Sequence, residues 1–322
     1  MRWFRVDDFF QSIRPVYLTA RMFLLHFETL DFQRQTHRRT LLDQAGLVLT
    51  LVMDLFLATV AFRNITAILQ MSDSVLLSLG YYVSFMFGTV IALAIPSWNS
   101  WQAESVFEIY ANIANVDDDL RQLGITIDHQ KHHFVSTISP KFSSKSTEDT
   151  NHLGNIIRKF AALHDLLCDT VELFNRCFSV QAMLCMAPSF SFTVFSLFGV
   201  IHSYASRADN DTLQVSWSNM IYDMLPVYFM IQMVLCSGLV HAKCKQTAVL
   251  IHKTISCGAY NRKLLMELRA FSQQLGHHAP KMSCRVFDFD WTLFFTMAGS
   301  LTTYLVILVQ FDLVNFSTTN RK

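Results

Sequence analysis

Trp291–Phe311 reads WTLFFTMAGSLTTYLVILVQF and contains no charged residue. At ~1.5 Å of rise per residue, a helix of this length crosses a hydrocarbon core of ~30 Å. A plain anchor would be filled with Leu and Val, yet this stretch carries Ser300, Thr302, Thr303, Tyr304 and Gln310. Thr303, Ile307 and Gln310 stand at i, i+4 and i+7, which puts them along one helical face. A polar row on a lipid-soluble helix must face water or another helix, because an unpaired hydroxyl or amide in lipid is costly. Two uses fit. The row glues the helix to its neighbours, or several symmetry copies of it enclose an aqueous path.

Composition agrees with a membrane setting. The chain has 322 residues, of which 52% are apolar and 16% charged, with 28 Phe. A soluble globule would carry roughly a quarter charged residues. The net charge of +1 gives nucleic acid no electrostatic purchase. The first forty residues hold seven Arg, and Arg21 breaks the apolar run 16–27. That pattern argues against a cleavable signal and for an amphipathic helix at the inner surface.

Apolar length marks five candidate spans, Ala45–Phe62, Val75–Ile95, Phe178–His202, Met220–Val240 and Trp291–Phe311. Asp54, inside the first, is expected to face the bundle interior or a wet cavity. With the N-terminus inside, the inner segments hold twenty-two Lys and Arg and the outer segments four. This is a positive-inside bias. The three N-x-S/T sequons, at Asn64, Asn210 and Asn315, all fall in the segments this topology puts outside, and are the glycosylation candidates. The seven cysteines all fall inside or within spans, and no pair has metal-site spacing.

Between the spans, Val106, Tyr110, Ile113, Val116, Leu120 and Leu123 recur at three and four, with Gly124 as the stop and Asp117, Asp118 and Asp119 on a solvated face. Residues 125–150 read as a flexible linker. Leu153, Ile156, Phe160, Leu163, Leu167 and Phe174 then form a near-heptad stripe that runs into the third span as one long helix. A further set, Leu250, Ile251, Leu264, Leu265, Leu268, Phe271 and Leu275, precedes the last span. Apolar stripes that project from a membrane need partners, in the same chain or in a symmetry mate.

The final span carries more than a periodicity. Thr303-Tyr304, five apolar residues and Gln310-Phe311 resemble the TY-x5-QF signature that closes the insect gustatory receptors, part of the insect chemoreceptor superfamily. Ile13-Arg14-Pro15 resembles the family's opening. Leu163-His164, Leu167-Cys168-Asp169 and Asn175 resemble its helix leading into a middle span. The resemblance implies a tastant-gated, non-selective cation channel, a homo- or hetero-tetramer in the plasma membrane of a gustatory receptor neuron. It makes the last helix the pore lining, with Thr303, Tyr304, Ile307, Gln310 and Phe311 as pore and gate residues. Ile307 would be the hydrophobic gate and Gln310 a polar ring beside it. The family has seven spans, and the two expected between Leu123 and Leu153 are not found here. A non-conducting subunit that co-assembles with other chemoreceptors and modulates them is the alternative.

The expected fold is therefore an all-α polytopic membrane bundle with long cytoplasmic helices, N-terminus inside and C-terminus outside. Residues 1–44 form a cytoplasmic segment, 45–95 two spans, and 96–177 cytoplasmic helices and linker. Residues 178–240 form two further spans, 241–288 anchor helices, 289–311 the pore span and 312–322 an extracellular tail. A small-molecule pocket between spans, toward the outer face, draws on Tyr81, Tyr82, Phe85, Phe192, Phe195, Tyr222 and Phe229. No enzyme signature, phosphate loop, cofactor motif or internal repeat is found. His129, His132 and His133 in DHQKHH read as a solvated basic loop rather than a metal site. Membrane lipid and a tastant are the expected partners, with no nucleic acid.

Overall fold

The computed structural model describes residues 9, 13–14, 17, 29–31, 36–38, 40–70, 75–125, 150–205, 210–257 and 260–319. The expected linker centre and the DHQKHH histidines lie outside the described residues. A short antiparallel hairpin pairs β1 (Thr29–Asp31) with β2 (Thr36–Arg38), Leu30 opposite His37. Among the described residues seven long helices follow: α1 (Leu41–Gln70), α2 (Val75–Trp101), α3 (Ala103–Gln122), α4 (Thr150–Ala205), α5 (Asn210–Cys257), α6 (Arg262–His277) and α7 (Trp291–Thr319). Helices α1, α2, α4, α5 and α7 are each long and apolar enough to cross a membrane. The chain is an all-α polytopic membrane protein. Helix α4 has 56 residues, so it is ~84 Å long and far exceeds what one crossing needs.

Local chemistry sets several boundaries. Before α1, the Thr40 N–H donates to Asp43 Oδ2 at 2.9 Å and the Asp43 N–H returns to Thr40 Oγ1 at 3.3 Å. This is a reciprocal capping box with Asp in the usual Glu position. Helix α3 ends where Gly124 adopts φ 77°. The Gly124 N–H then reaches the Arg121 carbonyl at 2.9 Å and the Ile125 N–H the Leu120 carbonyl at 3.0 Å. That 5→2 and 6→1 pairing needs a left-handed residue, which glycine supplies without a Cβ penalty.

The chain divides into two compact units. The first comprises 1–44, 99–177 and 239–283. Its core joins Val106, Ile109, Ala114 and Val116 of α3 to Leu163, Cys168 and Cys177 of α4, and to Leu264, Leu268, Phe271 and Leu275 of α6. The α6 set repeats at four, three and four, and each such side chain adds about 1.5–3 kcal/mol on burial. Hydrogen bonds lace α6 and its following segment to α4. Arg158 pairs with Glu267, and the Gln274 amide donates to the Ala161 carbonyl at 3.0 Å. The Cys168 thiol donates to the His278 carbonyl at 3.3 Å. Asn175 donates to the Lys281 carbonyl at 2.7 Å and accepts from the Ser283 N–H at 3.0 Å. The Arg158 hydrogen bond holds the Glu267 carboxyl below its ordinary range, and burial pushes the Tyr110 phenol up.

Three expectations change in this unit. Leu167 is 41% exposed, while its neighbour Cys168 is buried. Leu163, Thr170 and Cys177 keep the seven-residue spacing, while Cys168 is covered by the segment after α6, whose His278 carbonyl takes its thiol proton. Asp117 is buried rather than solvated, with Arg121 3.0 Å away one turn on. Leu250 does not join the α6 face, because α5 continues to Cys257 and leaves it exposed.

The second unit comprises 45–98, 178–238 and 284–322. Its α2–α4 contact is closed by glycines facing aromatic rings. A Cβ on Gly80 would lie 2.2 Å from Phe195 Cδ1, and one on Gly199 would lie 2.7 Å from the Tyr81 hydroxyl. Small residues at such a contact let helices approach where lipid supplies no hydrophobic drive. Buried hydroxyls along α4 are absorbed by its own backbone, Thr193 to Ser189 O at 2.9 Å and Ser203 to Gly199 O at 2.8 Å. Ser203 also meets Ser216 of α5 at 3.0 Å.

Candidate functional site

Asp290 opens α7, its Oδ1 accepting the Leu293 N–H at 2.8 Å, so the last helix starts at a defined residue. The helix runs on through Thr319, which makes part of the expected tail helical. Along it, Phe294, Met297, Leu301, Leu305, Leu308 and Asp312 are half-buried and recur at three and four. Thr303, Ile307 and Gln310 are exposed. With 3.6 residues per turn, that row is centred roughly 155° around the helix from the middle of the half-buried face. The row therefore points away from the unit that α7 belongs to. Tyr304 and Phe311 are also exposed, at 54% and 63%.

The hydroxyls do not all need a second helix. Thr302 donates to Ala298 O and Thr303 to Gly299 O, both at 3.0 Å. A threonine can satisfy itself this way inside a helix, whereas a glutamine amide reaches no equivalent backbone group. The burden of the polar row falls on Gln310.

Two contacts tie α7 to α4 within the second unit. The Tyr304 ring stands edge-on to Phe190, centroids 5.9 Å apart at 79°. His202 Nδ1 donates to Asp312 Oδ2 at 2.6 Å, with both side chains largely buried at 7% and 13% exposure. Sequence reasoning missed this pair, which spans 110 positions. Its one signal was a titratable residue at one end of each of two spans.

The aromatic candidates divide. Tyr81, Phe192 and Phe195 line the α2–α4 contact against Gly199, Gly88 and Gly80. Phe85 is half-buried on α2. Tyr82 and Phe229 are exposed, at 37% and 48%. The side chains of Tyr222, Asn64, Asn210 and Asn315 lie outside the described ones. The Tyr81 hydroxyl and Ser84 Oγ are buried without a hydrogen-bond partner among the described residues. Asp54 is half-buried in α1.

In the first unit, a cavity of about 260 Å3 is lined by Cys168, Glu172, Asn175, His278 and Pro280 among others. Beside it, His164 lies 3.6 Å from the Cys168 sulfur and 3.8 Å from the Cys244 sulfur. Among the described residues, no group of three or more His, Cys, Asp or Glu is placed to hold a metal ion.

Residues 127–315, more than half of the chain and including the whole of α4, α5, α6 and most of α7, match the model of the 7tm Chemosensory receptor family. The chain belongs to that family. Among curated chemosensory receptors it is similar to putative gustatory receptor 28b of Drosophila melanogaster, 24% identical over 94% of this chain and 67% of the relative. It is also similar to putative gustatory receptor 28a of the same organism, 26% identical over 57% of this chain and 41% of the relative. The TY-x5-QF residues of α7 thus stand in a chemosensory receptor of the gustatory kind, inside the matched region.

Proposed function

We propose that this chemosensory receptor is a subunit of a tastant-gated, non-selective cation channel, in which α7 copies from four subunits surround the ion path. The observation that carries the reading is the exposed row Thr303, Ile307 and Gln310, turned away from the half-buried face of its own helix. An amide facing hydrocarbon costs several kcal/mol, and water along a shared axis removes that cost. Ile307 is the hydrophobic constriction and Gln310 the polar ring outward of it. Tyr304 and Phe311 flank them.

The N-terminus lies inside and the C-terminus outside, with 1–44, 96–177 and 241–288 cytoplasmic. The basic-residue bias and the sequons at Asn64, Asn210 and Asn315 support that orientation. The subunits form a homotetramer or join other gustatory receptors, in the plasma membrane of a gustatory receptor neuron. The tastant site draws on the α2–α4 aromatics, where Tyr81 and Ser84 have hydroxyls to offer a polar ligand group. Opening follows from a ligand that binds the open arrangement better. Moving the population from 1:99 to 99:1 takes roughly a 10⁴-fold preference.

The test uses the full chain expressed alone with Ile307→Ala, a change expected to relax the constriction and give a standing current. Cysteines placed at 303 and 310 should make that current sensitive to a charged thiol reagent, and cysteines at 305 and 308 should not. No standing current, or equal sensitivity at all four positions, overturns the pore assignment. Silence alone combined with an altered current in a co-expressed gustatory receptor would identify the modulatory subunit instead.

A further inference from the structure

We infer that His202 and Phe190 of α4 are positioning residues for the gate, holding the pore helix by two ties that bracket Ile307. The inference rests on reading α7 as the pore helix. Tyr304 lies three residues before Ile307 and Asp312 two residues after Gln310, so the ties are ~12 Å apart along the axis. Neither tied residue belongs to the row Thr303, Ile307 and Gln310. Asp312 lies ~170° around the helix from the centre of that row and Tyr304 ~90°, so α4 holds α7 from behind at Asp312 and from the flank at Tyr304.

The two ends of each tie differ in firmness. No residue of the α7 span is buried. On α4, Phe198, Gly199 and Ser203 are buried around His202. The His202 ring lies against Phe198, centroids 5.9 Å apart, and Ser203 reaches α5 through Ser216. Helix α4 is therefore the fixed post and α7 the element it positions. The Asp312 bond is the firmer tie, since a charge-assisted hydrogen bond between enclosed side chains exceeds one edge-on ring contact in strength. Asp312 is also the first charged residue after Asp290, so it ends the apolar span at a fixed point on α4.

A hold on the back of a pore-lining helix draws its front away from the axis. The ties thus favour the wider arrangement, and a shift of α4 caused by ligand reaches Ile307 through them. Losing a tie lets α7 settle toward the axis and lowers conduction.

The experiment measures the standing current of full-length Ile307→Ala in cells, normalised to surface density by biotinylation. Adding His202→Ala or Asp312→Ala should reduce it several-fold, and Phe190→Ala by less. The exchanged pair His202→Asp with Asp312→His should restore most of it, which a merely structural loss would not allow. Should either alanine variant fail to reach the surface, Asp312→Asn, which keeps the size and one acceptor oxygen, should give an intermediate current. Unchanged current in the single variants, or no recovery in the exchanged pair, overturns the positioning role and leaves the pore reading standing. Absence of any standing current in Ile307→Ala itself removes the pore reading and this inference with it.

Discussion

Helices α4 and α7 are equally apolar over the stretches able to cross a membrane, yet nearly half of that stretch is buried in α4 and none of it in α7. Hydropathy reports what a helix can be dissolved in; side-chain size and polarity decide what it packs against. Helix α4 offers Ser, Thr, Ala and Gly at close spacing, among them Ser189, Thr193, Ser196, Gly199 and Ser203, all buried. Its neighbours can come close, and its hydroxyls return to its own carbonyls. Helix α7 presents Phe295, Tyr304, Val306, Phe311 and Leu313, all at least half exposed. Helix α4 finds much of its packing within one chain. Helix α7 needs something from outside it, and Gln310 says that lipid alone is a poor answer.

Glycines offer the sharpest way to break that contrast. Gly80→Ala forces a methyl group into Phe195, so the α2–α4 contact must part. Overpacking of this kind costs about 1–3 kcal/mol or more, and the purified protein should melt several degrees lower or fail to reach the surface. Gly299→Ala on α7 meets nothing within 4 Å in its own chain and should leave the melting temperature unchanged or slightly raised. Equal damage from both would erase the distinction between the two helices.

Gln310→Lys tests the exposed row next. In the proposed tetramer, four ammonium groups ~8 Å from an ion on the axis, at the dielectric of water, add roughly 2 kcal/mol to its passage. The standing current of Ile307→Ala should fall roughly 30-fold. A lysine at Leu305, on the other side of the helix, would instead disturb packing and surface expression. Smaller again is Asp290→Ala, which removes the cap at the start of α7 and should cost about 1 kcal/mol in thermal stability. Smallest is Glu267→Gln in the first unit. Arg158 depresses the Glu267 carboxyl, so their pairing stabilises the fold above the ordinary carboxylate range and is lost as pH falls through the lowered value. The pair is exposed and screened, and the melting temperature at pH 7 should barely move.

Much of this was legible in the residues. Five apolar runs of suitable length announce five membrane-competent helices, and the polar residues of Trp291–Phe311 mark the helix that is unlike the rest. Gly124 announces the end of α3, because a left-handed residue is needed there. What could not be read are pairings across the fold. Nothing local tells that Gly80 receives a phenyl ring, or that His202 meets Asp312 rather than water. The heptad stripe names Leu167 where the helix buries Cys168, since the His278 segment that covers Cys168 lies 110 positions away. The sequence alone gives Thr303 a need for a neighbour, but a carbonyl four residues back already takes its proton.

Asn175 addresses the main chain of 281–283 much as a neighbouring strand would, giving one hydrogen bond and taking one. Both bonds end on peptide atoms, so the clasp does not depend on which side chains residues 281 to 283 carry. Substitutions can accumulate there without loosening it. Position 175 has no such latitude. An aspartate loses the donor and a leucine loses both groups, while a glutamine overshoots by a methylene. The segment that leads into the last helix is thus tolerant in sequence and strict in path, with the strictness lodged a hundred residues upstream.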